Sequence, residues 1–257
     1  MSEFTTLRVE AEGAIGRLTL DRPDKLNPLS SATLAEIAGA ARWFDARPEV
    51  KVVIVRGAGR AFSGGADLDS FTGAPDLPIR DAADLGRRMA DAVEDMDALA
   101  IAQLHGWCVG GGLVLAAACD LRVAAADARF SIPEVDLGIP LAWGGIPRLV
   151  REIGPALTKE LVATCRPFDA AEAKAAGFLN RVVAPEALEA EVEGLAAQLA
   201  GKARHALFST KRHVNAVTAE ALGLARSWAD ADGLVTAFSD RECAEARRAY
   251  LAKRMRS

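Results

Sequence analysis

Histidine is scarce in this chain of 257 residues: only His105, His205 and His213 occur. With no H-E-x-x-H and no C-x-x-C pair among four cysteines, a His/Cys metal centre has little to draw on. Cys108, Cys119, Cys165 and Cys243 read as reduced, buried thiols of a cytoplasmic protein. Other chemistries are missing too. No G-x-G-x-x-G follows a strand, no G-x-x-x-x-G-K-[ST] exists, and Ser63 is not inside a G-x-S-x-G elbow. Dinucleotide binding by that fingerprint, P-loop phosphate binding and a serine-elbow hydrolase are therefore unsupported. There is no excess of basic charge either: the net charge is −4 and the pI about 5.5, which argues against nucleic acid as the main partner. The start, MSEFTTLRVE, lacks a basic and an apolar segment, so no signal peptide is expected. One long stretch, Leu99 to Cys119, runs without a full charge, and it contains Gln103, His105 and four glycines. A buried strand, a glycine turn and a buried helix explain it better than a membrane span.

What is present is apolar and layered: 51% of residues are hydrophobic and 26% charged, a globular composition. Leu7–Glu10 and Ile15–Leu20 alternate around Glu12-Gly13 and predict a hairpin. Ser30 or Ser31 caps a helix ending near Asp45, with Leu34, Ile37, Ala38 and Ala41 on one face. Val52–Val55 is a continuous apolar run, the mark of a strand buried on both faces. Residues 70–80, with Gly73, Pro75 and Pro78, predict a surface loop. The pattern over Asp81–Leu99 predicts an amphipathic helix, and strands are expected at Ile101–Leu104, Leu121–Ala125, Arg129–Ile132 and Leu179–Val183. From Trp143 onward the pattern is mainly helical, punctuated by Gly154-Pro155 and Gly177. A helix, a buried strand and a glycine turn thus occur twice in that order, which argues for an α/β layered fold.

Two glycine turns are the remaining candidates for chemistry. They are Gly64-Gly65-Ala66-Asp67 and Gly110-Gly111-Gly112, each after a buried strand. Glycine lets the backbone approach another group closely, and the first N–H groups of a helix lack internal partners. If both turns faced one site, an N–H from each could bind one developing oxyanion. Space-filling for tight helix packing explains the triplet equally well by itself. Glu134, just past a strand, is the nearest carboxylate for moving a proton, and an exposed loop acid is the plainer reading of it. His105, at a strand end, reads as a packed histidine.

At these residues the sequence resembles the crotonase superfamily, the enoyl-CoA hydratases and isomerases. The marks are Arg22-Pro23…Lys25-Leu26-Asn27, Ala61-Phe62-Ser63-Gly64-Gly65-Ala66-Asp67-Leu68 and Val109-Gly110-Gly111-Gly112 with Cys119-Asp120. Pro133-Glu134-Val135-Asp136-Leu137-Gly138-Ile139, Gly144-Gly145-Ile146-Pro147-Arg148-Leu149 and Ala173…Ala176-Gly177-Phe178-Leu179-Asn180 follow in order. The resemblance implies a ββα spiral core over residues 1–200 and a helical region over 201–257 that forms homotrimers or paired trimers. It implies an acyl-CoA substrate, with coenzyme A entering only as part of that substrate and no metal. The N–H groups of Ala66 and Gly111 become oxyanion donors and Glu134 the catalytic acid/base. Arg22 and Lys25 become CoA contacts. Ala61, Gly64, Gly65, Asp67, Leu68, Gly110, Val114 and Pro133 border the substrate, and Phe238 and Lys253 resemble positions that reach a neighbouring subunit's CoA.

One departure bears on the reaction. Two-acid hydratases carry a Glu two residues after the glycine triplet, where this chain has Val114. Dienoyl-CoA isomerases place acids at the positions of Val114 and Ala142, which disfavours that reading. Asp136 resembles an acid without a catalytic part. A single Glu suits double-bond isomerisation of 3-enoyl-CoA to 2-enoyl-CoA. Hydration, drawing on Glu134 alone or on a second acid from the 67–84 segment, is the alternative. Thioester hydrolysis, decarboxylation and non-catalytic acyl-CoA binding are the others.

Overall fold

The computed structural model describes residues 4–68, 78–222 and 229–254. Strands β1 (Leu7–Glu12) and β2 (Ile15–Leu20) form the expected antiparallel hairpin, turned at Gly13 with φ 55°. Helix α1 (Ser31–Asp45) starts where expected, because the Ser30 hydroxyl accepts the Thr33 N–H at 3.2 Å. Its buried face holds Leu34, Ile37, Ala38, Ala41 and Phe44. Strand β3 (Val52–Gly57) follows, and Val52 to Val55 are buried on both sides. Helix α2 (Ile79–Asp95) begins inside the span expected to be loop. The rest of that loop expectation falls outside the described residues.

The helix expected to reach Leu99 stops at Asp95, and Leu99 opens strand β4 (Leu99–Leu104). Met96 turns extended at ψ 136°, and the Asp97 N–H donates to Asp45 Oδ1 at 2.9 Å. Met96 and Ala98 are apolar because they enter the core from this connection, which prolongs a helical pattern beyond the helix. Next come β5 (Trp107–Val109), α3 (Gly111–Ala118), β6 (Leu121–Ala125) and β7 (Arg129–Ser131). All of α3 is buried, as its apolar circumference requires. Helix α4 (Gly145–Thr164) is broken at Gly154, φ 76°, ahead of Pro155. The core then adds β8 (Phe168–Asp169), α5 (Ala170–Ala175), β9 (Arg181–Val183) and α6 (Leu188–Ala200). Leu179 lies before β9 and not in it. Its neighbour Asn180 accepts the Arg122 N–H through Oδ1 at 2.7 Å.

The large sheet runs β1-β2-β3-β4-β6-β9, parallel beyond the first pair, and the small one β5-β7-β8. Each turn of chain gives a strand to the large sheet, a short strand to the small one, then a helix: β4-β5-α3, then β6-β7-α4. This is the ββα spiral that the resemblance implies. Within the first turn, Ser63 bridges Cys108 of β5 and so joins the small sheet's edge.

Helices α7 (Arg204–Leu222), α8 (Asp230–Ser239) and α9 (Arg241–Arg254) close the chain. Lys211 of α7 is buried and anchors that helix: its Nζ donates to Ala98 O at 3.0 Å and Asp120 Oδ2 at 2.9 Å. Helix α8 packs on α2 and places Leu234 and Ala237 against Leu137, Ile139 and Ala142. Among the described residues no helix is long and apolar enough to cross a membrane.

Candidate active site

The two glycine turns are stitched together. The Ser63 N–H donates to Trp107 O at 3.1 Å, and the Val109 N–H returns to Ser63 O at 3.0 Å. Ser63 is fully buried, and its hydroxyl donates to Asn27 O at 2.8 Å while accepting the Gly65 N–H at 3.1 Å. Gly65 has φ 89°, and a Cβ there would stand 2.7 Å from Val109 O, so only glycine fits. The Leu29 N–H donates to Gly65 O and the Asp67 N–H donates back to Leu29 O. The Ala66 N–H between them has no partner among the described residues.

In the second turn the Gly110 N–H donates to Ser131 O at 2.9 Å, while the Leu113 and Val114 N–H groups return to Gly110 O. The Gly111 N–H, at the first position of α3, has no partner among the described residues. Each glycine of the triplet leaves room for a different neighbour. A Cβ on Gly110 would collide with Glu134 Oε1, one on Gly111 with the Trp143 ring, and one on Gly112 would stand 2.8 Å from the Ser63 Cβ.

Glu134 follows β7 and is not an exposed loop acid. It is only 9% exposed, and its Oε2 is buried without a hydrogen-bond partner. The turn holding it is fixed by the Ile139 N–H donating to Glu134 O at 3.0 Å and the Leu137 N–H to Pro133 O at 3.0 Å. Burial disfavours the charged carboxylate and pushes its pKa up to about 7, against a small lowering by its own backbone N–H. Val114 lies one helical turn beyond Gly111, fully apolar in its surroundings. Its Cγ2 stands 2.9 Å from where a Gly145 Cβ would be, and Leu141 fills the same space. Ala142 is buried in the neighbouring apolar cluster. Asp136 is exposed on the following turn.

The acids of the 67–84 segment that are described are engaged elsewhere. Asp67 pairs with Arg22 at 3.1 Å, Asp81 with Arg88 at 3.3 Å, and Asp84 with Arg87 and Arg88. Asp69 and Asp76 lie outside the described residues. No group of three or more His, Cys, Asp or Glu is placed to hold a metal among the described residues.

A buried carboxyl with an unpartnered Oε2 thus stands against Gly110 at the N-terminus of α3, and the turn carrying the Ala66 N–H is stitched to the strand ahead of that helix; N–H groups without a partner among the described residues are of the kind that can stabilise an enolate. Residues 10–257 match the family model described as enoyl-CoA hydratase/isomerase. The chain belongs to the enoyl-CoA hydratase/isomerase family, within the crotonase superfamily. Among its relatives, a crotonyl-CoA hydratase of Syntrophomonas wolfei is 35% identical over 253 residues, 98% of this chain and 96% of its own. A short-chain-enoyl-CoA hydratase of Clostridium acetobutylicum is 32% identical over 93% of this chain and 96% of its own. A solved enoyl-CoA hydratase/isomerase of Mycobacterium paratuberculosis superposes with a TM-score of 0.88 at 27% identity, covering 96% of this chain and 99% of its own. The chain is accordingly an enzyme of this family that acts on acyl-CoA.

As an enoyl-CoA hydratase/isomerase family member it needs surfaces for both ends of that substrate. Arg22 is half-buried through its pair with Asp67, while Lys25 is exposed at the end of the Pro23–Lys25 turn. Ala61 is buried beside the first glycine turn. Leu68 packs into the apolar cluster of Leu137, Ile139 and Leu234. Phe238 belongs to this same chain's cluster, with the Arg247 guanidinium 4.8 Å over its ring. Lys253 is exposed on α9 and takes no part in these contacts. Sequence reasoning passed over Trp143, whose ring lies against Gly111. The only sign of it was a bulky aromatic directly ahead of Gly144-Gly145.

Proposed function

We propose that the enzyme shifts the double bond of a 3-enoyl-CoA to the 2 position, with Glu134 as the one acid/base. The observation that carries this reading is a lone buried carboxyl with an unpartnered Oε2 while the family's other acid position is Val114. The thioester oxygen accepts the N–H groups of Ala66 and Gly111. Ionised Glu134 takes a proton from C2, and the electron pair moves onto that oxygen as an enolate. The enolate then reforms the carbonyl, the double bond moves to C2–C3, and Glu134 returns the proton at C4. A base near pH 7 is matched to this task. Each donor meets charge that exists only after proton loss, and losing one such donor costs about 3–4 kcal/mol of barrier. The chemistry draws on no group beyond the coenzyme A carried by the substrate.

Hydration of a 2-enoyl-CoA has an equal claim, from the names of the relatives at 35% and 32% identity. In that reaction Glu134 would activate water for C3 and deliver a proton to C2. Panels of 3-enoyl- and 2-enoyl-CoA, followed by ultraviolet absorbance and mass, separate the two. Isomerisation creates the conjugated thioester absorbance at constant mass; hydration removes it and adds one water. Turnover of 2-enoyl-CoA alone would sink the isomerase reading, and binding without turnover of either would reduce the protein to an acyl-CoA binder. The C-terminal helices, residues 201–257, are proposed to assemble three chains, or two sets of three. Val214 and Val217, 58% and 56% exposed on α7, supply apolar surface for it. Light scattering should return a mass that is a multiple of three chains.

A further inference from the structure

Trp143 holds a backbone conformation that bulky residues rarely take. Its φ is 60°, and Gly144 follows at 69°. Left-handed residues other than glycine persist only where their surroundings enforce them, and they cluster at functional sites. The turn is pinned from outside by the Gly144 N–H, which donates to Asp230 Oδ2 at 2.7 Å at the start of α8. From there the indole enters a slot between two helices. A Cβ on Gly86 of α2 would collide with Trp143 Cδ2, and one on Gly111 of α3 would collide with Cζ3. Neither glycine has a positive φ, so what excludes a side chain at both is the ring itself. A mid-helix glycine at position 86 weakens α2, which makes the slot a feature kept against local preference.

The ring is not sealed away. Trp143 remains partly exposed while touching both the main core and the cluster that holds Leu68, Ala83 and Leu137. Its place relative to the two N–H donors sets its role. Gly112 faces Ser63, whose hydroxyl leads to the Asn27 loop and so towards Arg22 and Lys25. Gly111 faces Trp143, which leads to α2 and the apolar cluster. If a thioester bound at the Gly111 N–H keeps its CoA on the side of Arg22 and Lys25, its acyl chain runs towards the indole.

We propose that Trp143 sets acyl-chain length at this site, with its indole, braced by Gly86 and Gly111, closing the acyl compartment so that only short acyl groups fit. The assignment rests on the acyl-CoA reading above. Saturated butyryl-CoA and dodecanoyl-CoA are unreactive probes, so calorimetric binding tests it without turnover. The wild-type enzyme should prefer butyryl-CoA, and Trp143→Ala should move the butyryl-to-dodecanoyl affinity ratio at least about tenfold towards the long chain. A ring that is only a structural wedge would weaken both ligands alike, and an unchanged ratio in the folded variant overturns the proposal. If Trp143→Ala does not fold, Trp143→Leu, which keeps a shorter apolar filler, carries the same comparison. An intermediate ratio supports the proposal and the wild-type ratio overturns it. Failure of the wild type to bind either thioester would overturn the acyl-CoA reading and this inference with it.

Discussion

At neutral pH the Glu134 carboxyl stands near the middle of its titration, because burial has pushed it up to about 7. In the proposed isomerisation, proton removal at C2 needs the ionised form, so kcat/KM should rise with pH through that region and level off above it. Glu134→Gln should abolish proton transfer; unchanged turnover would remove Glu134 from the mechanism. Stability responds in the opposite sense. The folded pKa lies above the ordinary value of 4.5, so the folded state holds the proton longer than the unfolded chain does. The contribution of this group to stability is therefore fully present below about pH 4.5 and is lost as pH rises through about 7. Glu134→Gln should be more stable than wild type at about pH 8, by about 3 kcal/mol, and show no such advantage in acid. Chemical denaturation at the two pH values reads this directly. Val114 gives a second test. Val114→Glu should raise water addition relative to isomerisation, and should cost about 2 kcal/mol or more, because the new carboxyl replaces a fully buried apolar side chain against Leu141.

In the proposed chemistry, helix α3 serves by what the residues at its start lack. Gly110 has φ 48°, and the room its missing Cβ leaves is occupied by the Glu134 carboxylate. Gly110→Ala should both strain this left-handed backbone and displace that carboxylate, lowering kcat by about a hundredfold or more. Retained kcat would mean that Glu134 is not held by this contact. Local pattern made some elements plain in the sequence. α1 is readable because Ser30 caps it and its apolar residues recur at helical spacing, and β3 because four apolar residues run together. Other elements were not readable. β5 and β8 are three and two residues long, too short to show a period. The end of α2 was hidden because Met96 and Ala98 continue its apolar rhythm for a different reason, the core beneath the connection.

Across the whole molecule, buried ion pairs tie the helices to the spiral. Arg148 joins α4 to Asp91 and Glu94 of α2, and Arg151 reaches Glu94 as well. Lys211 joins α7 to Asp120 at the end of α3. Asp120 is itself pushed up by burial, against the pull of Lys211 and of its bond from the Ala100 N–H. Lys211→Met should therefore cost about 3–5 kcal/mol at neutral pH, because it removes the cation paired with the buried Asp120 carboxylate. The loss should shrink as pH falls and the lone carboxyl takes up a proton; a loss independent of pH would show that packing, not charge, was removed. The amino-acid sequence by itself determined the layered α/β class and the two glycine turns, because each is written in residue type and local order, whereas Glu134 as the proposed acid and Val114 as the departure were legible only through the resemblance to the crotonase superfamily. Only the tertiary structure decided that Glu134 is buried with an unpartnered Oε2, that the N–H groups of Ala66 and Gly111 find no partner among the described residues, and that Trp143 lies against Gly111. Those facts depend on which segments lie side by side in the spiral, and contacts between distant segments leave no period or local motif behind.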